Sequence, residues 1–179
     1  MDVIIYGSRY GTARQYAEEL ARRTGADVFP YDEVDDADRY ETIVYIGSLY
    51  AGGVLGMKKT FAKLGDCCGK RIVIATVGLA DPENQENVDN IEDGMRAQLS
   101  DEVYRAARVF HLRGGIDYSR LGIKHKAMMA LLHKKAQGLP EEKQTAEVRA
   151  MIETYGKRVS FVDFGSLDKI VAYLQAGAQ

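Results

Sequence analysis

The sequence has few of the residues that characterise secreted, membrane-spanning or fibrous proteins. Among its 179 residues are two cysteines, three prolines and no tryptophan. Because Cys67 and Cys68 are adjacent, they provide no disulfide framework, and we expect a reducing compartment. No apolar run approaches the roughly 18 residues that a membrane-spanning helix requires. The first residues lack the basic start and long apolar stretch of a signal peptide, so we expect a cytoplasmic protein.

Neither sign of charge is in marked excess. Lys and Arg total 24, and Asp and Glu total 26, which gives a formal net charge of −2. This balance argues against a general nucleic-acid-binding protein, since such proteins usually carry a basic excess. Apolar residues make up 46% and charged residues 28% of the chain. The length and composition are typical of one globular domain, and we predict a single domain over residues 1–179.

What the sequence does contain is an alternation of short β-rich runs with segments of helical period. The β-rich runs are residues 2–6, 26–30, 42–47, 71–77 and 109–112. Between them, apolar residues recur every three or four positions, as on one face of a helix. Strict alternation predicts a parallel sheet with helices on both faces. Ligands bind such sheets at the carboxyl ends of the strands, so the loops after the first, third and fourth runs are the first candidates for a site.

One segment interrupts the alternation. Residues 118–140 contain no acidic side chain, and their basic residues are Arg120, Lys124, Lys126, Lys134 and Lys135. The apolar residues of this segment have helical spacing, and Gly138 followed by Pro140 predicts the end of one helix and the start of another. We therefore predict that residues 119–158 form a helical insertion between the fifth strand and the last helix.

The first loop, residues 7–13, leads directly from the first strand into a helix. The first turn of a helix leaves backbone N–H groups unpaired and carries partial positive charge, so it stabilises an anion such as a phosphate. Ser8 and Thr12 can add hydroxyl donors, and Gly11 lets the backbone approach a ligand closely. The loop lacks the Gly-Lys-Ser/Thr of a Walker loop. An ordinary strand–helix turn explains the same residues equally well on the motif alone.

The loop sequence resembles a known motif. Ser8-Arg9-Tyr10-Gly11-Thr12-Ala13 is similar to the Ser/Thr-x-x-Gly-x-Thr phosphate loop of the flavodoxin family, with Ala13 in place of the last threonine. The resemblance implies a three-layer α/β/α sandwich with a five-stranded parallel sheet in the order 2-1-3-4-5. It also implies noncovalently bound FMN and electron transfer through that flavin.

The same resemblance assigns two further loops to the flavin. In flavodoxins the loop after the third strand places an aromatic ring against the flavin, and Tyr50 occupies that position here. The loop after the fourth strand lies near the pyrimidine edge of the flavin. The cofactor-binding residues that the resemblance implies are Ser8, Arg9, Tyr10, Gly11, Thr12, Ala13, Ser48, Leu49, Tyr50, Ala51, Gly52, Thr76, Val77, Gly78, Leu79 and Ala80. We identify no side chain that must act as an acid or a base, and no metal-ligand spacing.

Together with the basic insertion, these loops resemble the branch of the family grouped with menaquinone-dependent protoporphyrinogen dehydrogenase. This implies either an electron carrier or a quinone-linked, FMN-dependent oxidoreductase, with a redox partner protein or a quinone as the partner. The positive charge of segment 119–137 favours contact with an acidic redox partner, with the propionates of a porphyrin, or with an anionic membrane at its periphery. A solvated helix that covers the sheet explains that segment equally well. A flavin-free interaction module with the same fold is the alternative from another functional class, and Ala13 and Ala51 favour it.

Overall fold

Strands and helices alternate along the first two thirds of the chain. In chain order they are β1 (Asp2–Gly7), α1 (Thr12–Thr24), β2 (Asp27–Pro30), β3 (Thr42–Tyr50), β4 (Gly53–Val54), α2 (Met57–Phe61), β5 (Arg71–Gly78), α3 (Gln85–Arg96), α4 (Asp101–Ala106) and β6 (Ala107–Arg113). The computed structural model describes residues 1–65, 67 and 69–176. The prediction for the cysteine pair therefore involves one residue, Cys68, outside the described part.

The last third of the chain adds helices and a small second sheet. Its elements are β7 (Gly115–Asp117), α5 (Ile123–Gln137), α6 (Ala146–Thr154), β8 (Arg158–Ser160) and α7 (Asp168–Ala176). Strand β7 pairs antiparallel with β8, so the segment that the sequence marked as an insertion closes on itself beside the end of β6. No helix in the described ranges is both long and apolar enough to span a membrane.

The central sheet has the order β2–β1–β3–β5–β6, and these five strands are parallel. The predicted flavodoxin-like sheet order is thus confirmed, with the short β4 added antiparallel to the end of β3. Val3, Ile4 and Ile5 of β1 are all fully buried. Burial of consecutive residues requires that both faces of the sheet be covered, as a parallel sheet between two helical layers is.

Two hydrophobic clusters lie on opposite faces of the sheet because successive strand residues point to opposite sides. One cluster joins the sheet to α2, α3 and α4, and it includes Ile5, Tyr45, Ile74, Met57, Met95 and Val103. The other joins the sheet to α1 and α7, and it includes Ile4, Val44, Val73, Tyr16, Leu20 and Ile170. The fold is therefore a three-layer α/β/α sandwich.

A third, smaller cluster attaches the segment after β6 to the carboxyl edge of the sheet. Its buried members are Ile116, Tyr118 and Met129, and partly buried residues from the first loop, the β5–α3 loop and α6 pack against them. The ring of His133 on α5 stacks on that of Tyr155 with centroids 3.9 Å apart and planes 12° apart. Helices α5 and α6 are consequently held over the edge where parallel sheets bind ligands.

Candidate functional site

A cavity of about 510 Å³ opens at the carboxyl edge of the sheet, below α5 and α6. Most of its lining is apolar or backbone, including Leu49, Tyr50, Val77, Leu79, Ile91, Met128, Met129 and Met151. A second cavity of about 570 Å³ lies beside it, and Tyr10, Thr12, Gly115 and Ile116 line both. The two spaces thus adjoin at the start of α1.

A tight hairpin between β3 and β4 sets the position of Tyr50. Tyr50 pairs with Gly53, and the two residues between them, Ala51 and Gly52, have φ angles of 53° and 80°. Positive φ at both central residues is the requirement of a type I′ hairpin turn. The segment after the third strand is therefore a hairpin, where the sequence predicted a loop leading straight into a helix.

The side chain of Gln98 holds the short strand β4 in place. Its Oε1 accepts a hydrogen bond from Val54 N at 2.7 Å, and its Nε2 donates to Val54 O at 3.3 Å. Gln98 therefore acts on β4 as a neighbouring strand does, by supplying one donor and one acceptor. Sequence reasoning missed this residue because an amide after a helix carries no signal of a distant backbone partner.

Ala51 is the sole non-glycine residue with positive φ in the described part of the chain, and it is exposed. We expect Ala51→Gly to raise the free energy of unfolding by about 0.5–1 kcal/mol, because relief of left-handed strain exceeds the entropic cost of glycine. Urea unfolding measures this change. The control Ala62→Gly, where φ is −67° and the side chain is exposed, should lower stability instead. Equal changes of the same sign in both variants would contradict the hairpin assignment.

Helix α5 forms a roof over the two tyrosines of the cavity. The Tyr10 hydroxyl donates to Met129 Sδ at 3.5 Å, and the Tyr50 hydroxyl donates to Met128 Sδ at 3.4 Å. Partial burial raises the pKa of Tyr10 above its ordinary value. Methionine side chains are flexible and polarisable, so this roof can adapt to the shape of a ligand.

Arg9 joins the first loop to both the hairpin and the roof. Its guanidinium lies 5.2 Å from the centre of the Tyr50 ring, and its Nη2 donates to His125 Nε2 at 2.5 Å. His125 in turn meets Tyr10 edge to face, with ring centroids 6.5 Å apart. The sequence placed Arg9 and Tyr50 in separate loops, and the structure brings them into contact.

The second cavity surrounds the N-terminus of α1. Gly11 precedes this helix with φ 91°, its N–H donates to Ser8 Oγ at 3.1 Å, and the first turn of α1 contains no acidic residue. Three arginines also line this cavity: Arg9, Arg120 and Arg158. Helix-terminal N–H groups together with guanidinium groups favour an anion, although Arg158 also lies 3.4 Å from Asp117.

The loop between β5 and α3 is held by a carboxylate from α6. Leu79 N lies 3.0 Å from Glu147 Oε1, and Ala80 N donates to Glu147 Oε2 at 2.9 Å. On its other side, Arg113 Nε donates to Leu79 O at 3.0 Å. Nothing in the sequence pointed to Glu147, since it lies 68 residues from Leu79 and its partners are backbone groups.

Ten of the sixteen predicted site residues line the main cavity: Tyr10, Thr12, Ser48, Leu49, Tyr50, Ala51, Gly52, Val77, Gly78 and Leu79. Arg9 and Gly11 line the second cavity. The other four line neither cavity. Ser8 accepts from Gly11, Ala13 is fully buried in the core, and Ala80 donates to Glu147. Thr76 is buried, and its Oγ1 lies 2.8 Å from Nδ1 of His111 on β6.

Burial lowers the pKa of His111 below its ordinary value of 6.5, against the opposing effect of Glu92. As the pH drops below that ordinary value, His111 takes up a proton more readily in the unfolded chain than in the folded protein. The free energy of unfolding should therefore fall as the pH drops. We expect His111→Gln, which retains groups that can bond Thr76, to weaken this dependence. Urea unfolding at about pH 7.5 and about pH 5.5 measures it for both proteins. The same loss of stability in variant and wild type would exclude His111 as its source.

A comparison with known proteins identifies the family to which this chain belongs. Residues 3–143 match the family model described as a flavodoxin domain. A point-mutant flavodoxin from Pseudomonas aeruginosa is 20% identical, with 78% of this chain and 99% of that chain covered and a TM-score of 0.40. The Trp repressor binding protein from Bacillus subtilis is 16% identical, with 64% and 83% covered and a TM-score of 0.39. No curated protein matches the sequence.

Proposed function

Since this chain belongs to the flavodoxin-domain family, we propose that it is a redox protein that binds FMN noncovalently across the two adjoining cavities. The observation that carries the proposal is the pairing of an apolar, tyrosine-bearing cavity with an arginine-bearing one at the N-terminus of α1. A flat apolar ring suits the first space, and a phosphate suits the second. Both lie at the carboxyl ends of parallel strands, where this class of sheet binds ligands.

Two glycines, Gly78 and Gly114, form closely packed parts of the wall of the main cavity. A Cβ atom added at Gly114 would lie 2.8 Å from Val77 Cγ1 and 3.0 Å from Thr12 Oγ1. A Cβ atom added at Gly78 would lie 2.7 Å from Leu49 Cδ1. Glycine at these two positions lets the backbone pack closely against the side chains of the cavity wall. The apolar lining of the main cavity, with the helix N-terminus and arginines of the second, fits FMN.

Each part of the site has its own role in this proposal. The α1 N-terminus, Thr12 and Arg9 bind the phosphate, while Tyr50 packs against the ring and α5 excludes water from it. When bound, the flavin supplies the chemistry of accepting and donating electrons. The protein contributes binding, orientation and the surrounding charge.

The absorption spectrum of the purified protein tests this proposal. We expect flavin bands in the protein as isolated, or after incubation with FMN and removal of the excess. A colourless protein that takes up no FMN would overturn the proposal. That result would favour the flavin-free interaction module. Two features agree with that alternative: Ala13 replaces the last threonine of the phosphate loop, and the Glu147 carboxylate binds the Leu79 and Ala80 amides.

A quinone-linked enzyme of the menaquinone-dependent protoporphyrinogen dehydrogenase type is the second candidate function. The placement of the basic helix α5 over the cavity favours it, because Met128, Met129 and Leu132 of this helix line the cavity while its lysines are exposed to a partner or substrate. Anaerobic turnover of protoporphyrinogen with a soluble menaquinone analogue separates the two roles. Turnover identifies an enzyme, and its absence in an FMN-loaded protein that still exchanges electrons with a carrier protein identifies an electron carrier.

For the surface of segment 119–137 we propose peripheral contact with an anionic membrane. Ile123 is 88% exposed and Leu131 is 56% exposed, and the exposed lysines of the same helix are Lys124, Lys126, Lys134 and Lys135. Apolar side chains beside lysines fit the headgroup region of anionic bilayers.

Co-sedimentation with vesicles of phosphatidylserine and phosphatidylcholine measures this contact. We expect Lys134→Gln/Lys135→Gln to bind these vesicles several-fold more weakly than wild type, while the adjacent exposed pair Lys58→Gln/Lys59→Gln on α2 changes little, since only the first pair belongs to the proposed surface. No binding of wild type at low salt, or equal losses in both variants, would contradict membrane contact.

A further inference from the structure

Glu147 contacts the wall of the main cavity in an unusual way for a surface carboxylate. It is the second residue of α6, it lines the cavity, and both of its oxygens lie within 3.1 Å of Leu79 N. Its Oε2 also accepts from Ala80 N at 2.9 Å. One side chain thus engages two consecutive backbone donors at the rim of the cavity.

Of these two residues, Leu79 lines the main cavity, and Ala80 follows it directly in the β5–α3 loop. The loop is fixed from the other side, because Arg113 Nε donates to Leu79 O and Asn87 Nδ2 donates to Asp81 O at 3.1 Å. Each N–H group has a single hydrogen, so a ligand carbonyl can reach these donors only by displacing the carboxylate. A ligand carbonyl oxygen and a Glu147 carboxylate oxygen at the same N–H group would also repel each other, since both carry negative charge.

Within the described residues, few other side-chain hydrogen bonds or ion pairs join the start of α6 to the rest of the protein, although Ala146 is itself buried. Thr145 Oγ1 accepts from Val148 N at 3.3 Å, which caps the helix within its own segment. Arg149 Nη2 lies 3.0 Å from Glu86 Oε2 on α3, and the two side chains are 42% and 54% exposed, so this ion pair contributes little. Release of Glu147 would therefore free the first turn of α6 from its hydrogen bonds to the β5–α3 loop.

We propose that Glu147 is an internal competitor of the flavin. In the free protein its carboxylate holds the Leu79 and Ala80 amides and attaches the first turn of α6 to the loop; when FMN binds, its acceptor groups would take these amides and the first turn of α6 would lose this attachment. This inference rests on the proposed function, since it concerns the same cavity. It makes Glu147 a residue that sets flavin affinity without being required for the fold.

The first test compares FMN affinity, by quenching of flavin fluorescence, between wild type and Glu147→Gln. We expect the variant to bind about tenfold more tightly or better, because a charged acceptor no longer competes for the amides. Glu153→Gln is the matched control: it removes the same charge from an exposed position of the same helix. Binding by Glu147→Gln that equals or falls below that of wild type would overturn the competition.

A second test uses the wild-type protein and needs no variant. Amide hydrogen exchange across residues 146–154 should become faster when FMN is bound, while the Leu79 and Ala80 amides stay protected in both states. Unchanged or slower exchange in α6 would overturn the competition. The two proposals fail in different ways: tight FMN binding with no response at Glu147 refutes only the competition, whereas no FMN binding by wild type or by Glu147→Gln refutes both.

Discussion

Thr12→Asp should weaken FMN binding by at least about 100-fold while leaving the protein as stable as wild type or more so. Thr12 is the first residue of α1 and lines both cavities. A carboxylate there occupies the place proposed for the phosphate, and each charged hydrogen bond that the phosphate loses costs about 1.5–3 kcal/mol. The same carboxylate stabilises the helix by about 0.3–1 kcal/mol through its dipole, so loss of binding cannot result from unfolding.

Two comparisons isolate the charge in this experiment. Thr12→Asn has the same shape as the aspartate without its charge, and it should bind FMN within a few-fold of wild type. Riboflavin, which lacks the phosphate, should bind wild type and Thr12→Asp with similar, weak affinity. If Thr12→Asp retained wild-type affinity for FMN in a fluorescence titration, the phosphate would have to lie somewhere other than the N-terminus of α1.

Gly7→Ala should lower the free energy of unfolding by about 3 kcal/mol, the upper part of the usual range for overpacking. A Cβ atom at Gly7 would lie 2.0 Å from the backbone oxygen of Leu55 and 2.7 Å from the Tyr45 hydroxyl. The Tyr45 hydroxyl donates to that same Leu55 oxygen, so relief of the clash also breaks a partly buried hydrogen bond. Because Gly7 ends β1, the strain falls at the start of the phosphate loop, and FMN affinity should fall with stability.

Gly138→Ala is the matched control for this substitution. Gly138 follows α5 with φ −82°, and a Cβ atom there would meet its nearest neighbours only at 3.5 Å and beyond. Alanine fits that conformation, so stability should be unchanged or rise by about 0.4–1 kcal/mol. Urea unfolding of the two variants beside wild type gives both values. A loss below about 1 kcal/mol for Gly7→Ala would mean that β1 and the β4–α2 turn separate easily.

The parallel sheet could be predicted from the sequence because its signal is local. The apolar runs of β1, β3 and β5 are continuous, which indicates strands buried on both faces, and the segments between them have helical period. The loops that follow these strands were found for the same reason. Most of the residues predicted in them meet at one cavity, since parallel strands bring their carboxyl ends to one edge.

The parts that could not be predicted depend on contacts between distant residues. The β3–β4 hairpin contains Ala51 at a position that favours asparagine or glycine, so its turn gave no local signal. Gln98 and Glu147 act on backbone groups, which every residue possesses, and such partners leave no pattern in a sequence. The pairing of β7 with β8 spans the whole of α5 and α6. These features together shape the roof and rim of the site, while the sheet beneath follows from its own composition.

Calorimetric titration of FMN into the flavin-free wild-type protein tests the central claim most directly. The arrangement of an apolar cavity beside a helix N-terminus predicts saturable binding at one FMN per chain. We expect a Kd of about 1 μM or tighter, which corresponds to a binding free energy of roughly −8 kcal/mol or more favourable. Absence of binding heat at several temperatures, together with unquenched flavin fluorescence at saturating protein, would contradict it.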